Sequence, residues 1–356
     1  MTPARVLSLL LAALVLGSPG CTKPPEPTDP PDDVNPVPAD PIEHAQQLLS
    51  AGKPAEAQAV VDDALAKNPN DPELWFSKGV AQRTLGDAPG ATTSWEKALT
   101  LAPELVAARH GLAALKLEAG DHEGAVKAYV ELLQLDPDFK DGHYNLGLAL
   151  LALGRKDEAR GALENAHRLD PEDPDVAVEL GRLYALEGKL AEAAELVGPA
   201  AAKAKDDAGI QATYAWMLER LHRFEEAATY FEAALALRPD DDDTRLGLAR
   251  TYLRIGKEQQ AITELEAIAS RRPKDAAVWL AWGSALGKQG DTDGALAKLD
   301  QAIVIAPDML TAHVQKLGTL VLAGRCKEAK QVQAQIKKLE LTDHARRAVA
   351  NAIKPC

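Results

Sequence analysis

Between residues 276 and 307 the apolar positions keep the step of a helix twice over. Trp279, Trp282, Gly283 and Leu286 fall at i, i+3, i+4 and i+7, and after a polar break Ala295, Leu296, Leu299, Ala302 and Ile303 repeat that spacing. Each stretch therefore predicts an amphipathic helix with one apolar stripe. The break, Lys288-Gln289-Gly290-Asp291, supplies a glycine for the left-handed residue that ends a helix, and Pro307 stands where the second helix must stop. The predicted unit is an αα-hairpin.

The hairpin returns at one constant step along the chain. Glycine recurs at Gly52, Gly86, Gly120, Gly154, Gly188, Gly256, Gly290 and Gly324, with His222 as the one break in the row. Alanine recurs without a break from Ala57 through Ala91, Ala125, Ala159, Ala193, Ala227, Ala261 and Ala295 to Ala329. Proline recurs at Pro69, Pro103, Pro137, Pro171, Pro239, Pro273 and Pro307, with Lys205 as the internal exception. A fixed period of this length means stacked supersecondary units, each unable to bury its apolar face alone. Helix starts are written as clearly. Asp71 and Asp173 precede Pro72 and Pro174 as N-caps, and Pro54 and Pro89 open second helices, where a missing N–H costs nothing. Gly79, Gly147, Gly181 and Gly283, with Ala113, Ala215 and Ala249 in register, allow close approach of the paired helix.

These positions carry a resemblance to the tetratricopeptide repeat (TPR). One repeat shows it through Trp75, Gly79, Gly86, Ala91, Trp95, Ala98 and Pro103, another through Leu180, Gly181, Tyr184, Gly188 and Ala193. The resemblance implies an all-α fold: a right-handed superhelical α-solenoid of about nine hairpins over residues 42–341, with a concave groove lined by the first helix of each pair. Residues 342–356 are expected to form a C-terminal capping helix, with Ala345, Val349, Ala352 and Ile353 on its apolar side and Arg346, Arg347, Asn351 and Lys354 toward water. The family register turns Tyr144, Arg182, Trp216, Arg220, Arg250, Arg254 and Lys288 toward the groove. Trp216 stands out because Tyr214, Ala215 and Leu218 already fill the packing positions of its repeat. Two readings stay open here. A basic groove with a large aromatic suits an acidic or aromatic peptide; alternatively the arginines pair with Glu179 and Glu219, and Trp216 packs on Leu246. A carboxylate clamp of the kind some TPR proteins carry is matched at Asn145 but not at His110 or Ala114.

Composition narrows the functional classes. Hydrophobic residues make up 46% of the 356 and aromatics only 4%, so the core is built mainly from Ala and Leu. A formal charge of −13 leaves no basic stripe for nucleic acid. The acidic run at Asp240 to Asp243 and the Glu225, Glu226 pair read as solvated surface. No metal-ligand spacing, phosphate loop or nucleophile elbow occurs, so no enzyme, metal or cofactor is expected.

The ends of the chain point to location. Residues 1–20 hold one Arg and an apolar run from Val6 to Gly17, the dimensions of an export signal rather than a membrane span. Small residues at Ser18 and Gly20 precede Cys21, which resembles a bacterial lipoprotein signal although Ser18 and Pro19 depart from the usual lipobox. The resemblance implies lipidation of Cys21; a secreted chain with a free Cys21 thiol is the other possibility. Residues 21–41 hold eight prolines and several acids, a composition that favours an extended, disordered polyproline II tether reaching about 60 Å. The chain is thus similar to envelope TPR lipoproteins that act as assembly pilots or adaptors. Localisation at the outer membrane facing the periplasm is expected by that analogy, with protein or peptide partners. A self-associating structural protein with no groove client is the alternative. In an exported chain Cys326 and Cys356 are expected to pair, closing a 31-residue loop, worth about 3–4 kcal/mol; two unpaired thiols are the alternative. Gly198 and Pro199 fall inside a predicted second helix, which either bends the array or leaves a slightly unwound helix.

Overall fold

The computed structural model describes residues 40–337 together with Leu339 and Val349. Among the described residues the chain forms eighteen helices in chain order and no strand. They pair as nine antiparallel hairpins in two compact units, divided after Pro171. In the first unit α1 (Pro41–Ser50) pairs with α2 (Pro54–Lys67), α3 (Pro72–Thr84) with α4 (Ala88–Leu101), α5 (Val106–Glu118) with α6 (His122–Leu135), and α7 (Lys140–Ala152) with α8 (Lys156–Leu169). In the second, α9 (Pro174–Leu186) pairs with α10 (Leu190–Lys203), α11 (Ala208–Arg220) with α12 (Phe224–Leu237), and α13 (Asp242–Arg254) with α14 (Glu258–Arg271). It ends with α15 (Ala276–Gln289) against α16 (Thr292–Ile305), and α17 (Leu310–Leu322) against α18 (Cys326–Ile336). Each unit is an all-α stack of helical hairpins, as the resemblance to tetratricopeptide repeats implies, and the first helix opens one residue earlier, at Pro41. The expected leader 1–20, residues 21–39 of the tether and the closing helix 342–356, apart from Val349, lie outside the described residues.

Capping and turn chemistry place the elements. Asp71 and Asp173 each accept from two N–H groups of the first turn they precede. Asp87, Asp121, Asp207, Asp241, Asp275 and Asp291 cap other helices through their carboxylates. The glycine row sits at φ +69° to +93°, the left-handed region where a Cβ is penalised. His222 takes the same conformation at φ +62° and lays its ring edge-on against Phe224, 5.4 Å between centroids. One exception to the sequence pattern is thus the same turn made by a residue that tolerates it.

Within a hairpin the small residue of the first helix meets the large residue of the second. An added Cβ would fall 2.4 Å from Trp95 at Gly79, 2.7 Å from Leu163 at Gly147, 2.4 Å from Val197 at Gly181 and 2.7 Å from Leu299 at Gly283. Six of the first helices are then pinned to the turn before them. Side-chain nitrogens of Trp75, Arg109, His143, Arg245, Trp279 and His313 lie within hydrogen-bonding distance of the carbonyl six residues earlier, that of Pro69, Pro103, Pro137, Pro239, Pro273 and Pro307. The proline row therefore supplies an acceptor as well as a stop. Where it fails at Lys205, Gln211 donates instead to the carbonyls of Ala201 and Ala204.

Neighbouring hairpins are joined by an acid on one second helix and a polar group on the next first helix: Asp62 with Lys78 at 2.7 Å, Glu232 with the Tyr252 hydroxyl at 2.8 Å, and Asp300 with Lys316. In α10 the corresponding residue is Gly198, and the Tyr214 hydroxyl lies 3.0 Å from where its Cβ would stand. Helix α10 runs unbroken through Pro199 to Lys203, so the proline neither ends nor splits it. A cleft of about 490 Å³ opens here, walled by Glu195, Gly198, Pro199, Tyr214, Leu221 and Arg223. Pro199 is exposed and has no N–H for the Glu195 carbonyl. Pro199→Ala restores that bond, and is expected to raise the stability of the second unit by about 1–3 kcal/mol, read as a shift in urea midpoint at constant slope.

The second unit's core runs through Leu218, Phe231, Leu265 and Ile268, all fully buried. Leu317, Leu320, Ile336 and Val349 close its C-terminal end, Val349 being helical and 5% exposed. Cys326 opens α18 and is disulfide-bonded. The expected partner, Cys356, lies outside the described residues.

Candidate partner-binding face

Helices α9, α11, α13, α15 and α17 of the second unit repeat one orientation, each touching the next first helix. Residues one repeat apart on them therefore form rows. Arg182, Trp216 and Arg250 make one row, and Arg220, Arg254 and Lys288 a second, one turn nearer the C-terminal helix ends. All six sequence-predicted residues of this unit belong to these two rows. Tyr144 lies half-buried on α7 of the first unit and is not part of them.

Trp216 is the centre of the arrangement. Its ring stands edge-on to Phe231 with centroids 5.1 Å apart, and presses on Gly247, where an added Cβ would be 2.9 Å away. Arg250 covers the indole with its guanidinium 5.0 Å from the ring centroid, and its Nε is 3.6 Å from Glu219. Arg254 lies over Phe224 at 4.9 Å. Burial holds the Glu219 carboxyl above its ordinary range, although Arg250 and Arg254 both pull it down. Arg182 reaches Glu179 on its own helix at 3.1 Å and the Thr213 hydroxyl on the next first helix at 3.2 Å. Lys288 donates to the Leu253 carbonyl. Arg220 is exposed at the end of α11, with no ion pair among the described residues.

The ion pairs of the closed alternative are present. Arg182 and Arg250 have the acidic partners proposed for the closed alternative, and Trp216 is half-buried, on Phe231 and Gly247. Yet the side chains of Arg182 and Arg250 stay 53% and 46% exposed, and a guanidinium stacked on indole keeps donors for an incoming acceptor. The face is a preorganised cation row over an aromatic base. In the first unit the clamp positions go elsewhere: Asn145 donates to its own helix at Asp141, and His110 is buried.

Sequence reasoning missed what the acidic run does. Asp241 caps α13, while Asp242 and Asp243 pair with Arg271 and Arg272. It also missed the Arg83–Glu118 pair beside His110 and Tyr129; the periodic rows carry no signal for a contact between two repeats' polar positions. Among the described residues there is no cluster of metal-ligating side chains, and no helix long and apolar enough to cross a membrane.

Fold and rows together define a repeat protein of the helical-hairpin class. Two tetratricopeptide repeat family models match, one over residues 42–105 and 110–174 and the other over 157–217 and 220–282, together more than half of the chain. The chain belongs to the tetratricopeptide repeat family. Among solved structures it is similar to YrrB, a TPR protein with an unusual peptide-binding site, at 19% identity and TM-score 0.50, covering 52% of this chain and 96% of that one. It is also similar to Pseudomonas aeruginosa PilF, at 20% identity and TM-score 0.48 over 60% of this chain and 96% of that one. The thermophilic TPR protein TTC0263 of Thermus thermophilus matches at 26% identity and TM-score 0.40, over 51% of this chain and 99% of that one. The likeness to YrrB speaks to the fold alone. A comparison with curated proteins found no significant match. TPR proteins generally mediate protein–protein interaction, and their scaffold is typically non-catalytic.

Proposed function

We propose that this protein is an exported scaffold, held at the cell envelope by a lipid on Cys21, that holds protein or peptide partners on the first-helix face of its second unit. The observation that carries the binding role is Arg250 stacked on Trp216, with Arg182, Arg220 and Arg254 exposed around it. The net charge of the chain is −13, so a local row of cations is not a by-product of composition. Acceptor-rich segments, acidic or aromatic, are the partners this surface fits. The tetratricopeptide repeat scaffold is typically non-catalytic, which supports a binding role.

Changing Arg182, Arg250 and Arg254 together to Glu is expected to lower partner capture at least about tenfold, measured by photocrosslinking from position 216 in native envelopes followed by mass spectrometry. Capture that persists undiminished would remove the basic face from the explanation. The anchor is tested separately: Cys21→Ala is expected to move the chain from the membrane to the soluble fraction and to abolish incorporation of labelled fatty acid.

A further inference from the structure

The outer cation row has a period of its own. Arg220, Arg254 and Lys288 stand one repeat apart and sit in the last turn of α11, α13 and α15. Those helices touch in succession, so the backbone positions that carry the three cations recur at about the 8–10 Å separation of packed helix axes. All three are exposed. The same position carries Leu186, 70% exposed, on α9 and Leu322, 91% exposed, on α17, so the charged run is three positions long and bounded by apolar ones.

The chain contains a matching anion row. In the proline-rich residues 22–39, Glu26, Asp29 and Asp32 recur at every third position. A polyproline II helix turns once in three residues and advances about 3.1 Å each, so its carboxylates would lie on one side at about 9.3 Å intervals. An α-helix would space them about 4.5 Å apart, and a strand would send alternate ones to opposite faces. Of these three spacings only that of polyproline II matches the step of the packed helices.

We infer that Arg220, Arg254 and Lys288 receive residues 22–39 of a second copy of this chain, with Glu26, Asp29 and Asp32 each meeting one cation. Charge complementarity supports this occupant: Lys23 against Glu26, Asp29, Asp32 and Asp33 gives the segment a net charge of −3, on a face whose outer row is cationic. Repulsion between two chains of −13 is screened beyond about 8 Å at physiological ionic strength, whereas the paired charges lie within that distance. The inference rests on the reading of this face as a partner-binding surface, and makes residues 22–39 of the protein itself the ligand.

The test titrates a labelled, acetylated peptide of residues 22–39 into the full chain in mild detergent by fluorescence anisotropy. A second peptide has the same composition with the acids moved to adjacent positions. Saturable binding of the first, weaker for the second, is expected; Arg220→Glu, Arg254→Glu and Lys288→Glu together should weaken it on the order of tenfold. Light scattering of the full chain should show a concentration-dependent dimer that Glu26→Gln, Asp29→Asn and Asp32→Asn together dissociate. Equal binding of both peptides overturns the spacing match while leaving the face open to acidic partners. No binding of either, or a dimer unchanged by the acid substitutions, overturns the inference. A full chain that stays monomeric at every concentration overturns the second copy as occupant. Failure of the crosslinking experiment together with these results would overturn the partner-binding reading as well.

Discussion

Trp95→Ala is expected to destabilise the first unit by about 3–5 kcal/mol, the range for emptying an aromatic site in a core. Trp95 is fully buried on α4, stacked near Phe76 with ring centroids 6.4 Å apart. Two glycines on successive first helices admit it: added Cβ atoms would come within 2.4 Å of the indole at Gly79 and 2.8 Å at Gly111. Its Nε1 also donates to the Phe76 carbonyl at 3.1 Å, a second bond on that helix carbonyl which alanine removes. The site cannot collapse easily, because both walls are helix backbone. Because an array unfolds by neighbours rather than as one block, the measurement is hydrogen exchange, with protection lost first in α3, α4 and α5. A loss below about 1 kcal/mol would mean the hairpins repack around the void, contrary to the close fit at both glycines.

That site also shows how much of the fold was legible. Gly79, Ala91 and Trp95 belong to rows that recur once per repeat, so a single-sequence pattern gives the hairpin, its caps and its close contacts. Such features are local, each set by residues within one period. His222 and Lys205 break their rows without breaking the structure, because an αL histidine and the Gln211 bonds replace what is missing. The Gly198–Pro199 break was visible as a defect, but its outcome depends on Tyr214 one repeat away, whose hydroxyl occupies the space an acid fills elsewhere.

The candidate face was legible in part, and for a different reason. The register of the repeats picked out Arg182, Trp216, Arg220, Arg250, Arg254 and Lys288, since helix face is fixed by position. It did not say how those side chains would spend their hydrogen bonds. Arg250 can turn to Glu219, stack on Trp216 or meet a partner, and the choice depends on a few kcal/mol of competing contacts. The residue types at the positions of Arg83, His110 and Tyr129 change from repeat to repeat, so no row announced that these three come together.

That last group leads to a pH dependence. His110 is 3% exposed, set 5.9 Å from Tyr129 and 5.2 Å from Phe139 between ring centroids. Its Nδ1, the Tyr129 hydroxyl and one Arg83 guanidinium nitrogen have no hydrogen-bond partner among the described residues, while Arg83 pairs through its other terminal nitrogen with Glu118. Burial first, and the Arg83 charge second, push the His110 imidazole down from 6.5 to about 4. The unfolded chain therefore binds the proton more readily than the folded one between those values. Stability is fully present above pH 6.5 and is lost as pH falls through about 4. At about 1.4 kcal/mol per pH unit, the interval is worth about 3 kcal/mol. Urea unfolding of the wild type and of His110→Gln is expected to show the wild type losing about that much more between pH 7 and pH 4. Parallel curves would mean that the imidazole finds a proton acceptor inside the folded unit, and that acid weakens the array only through its carboxylates.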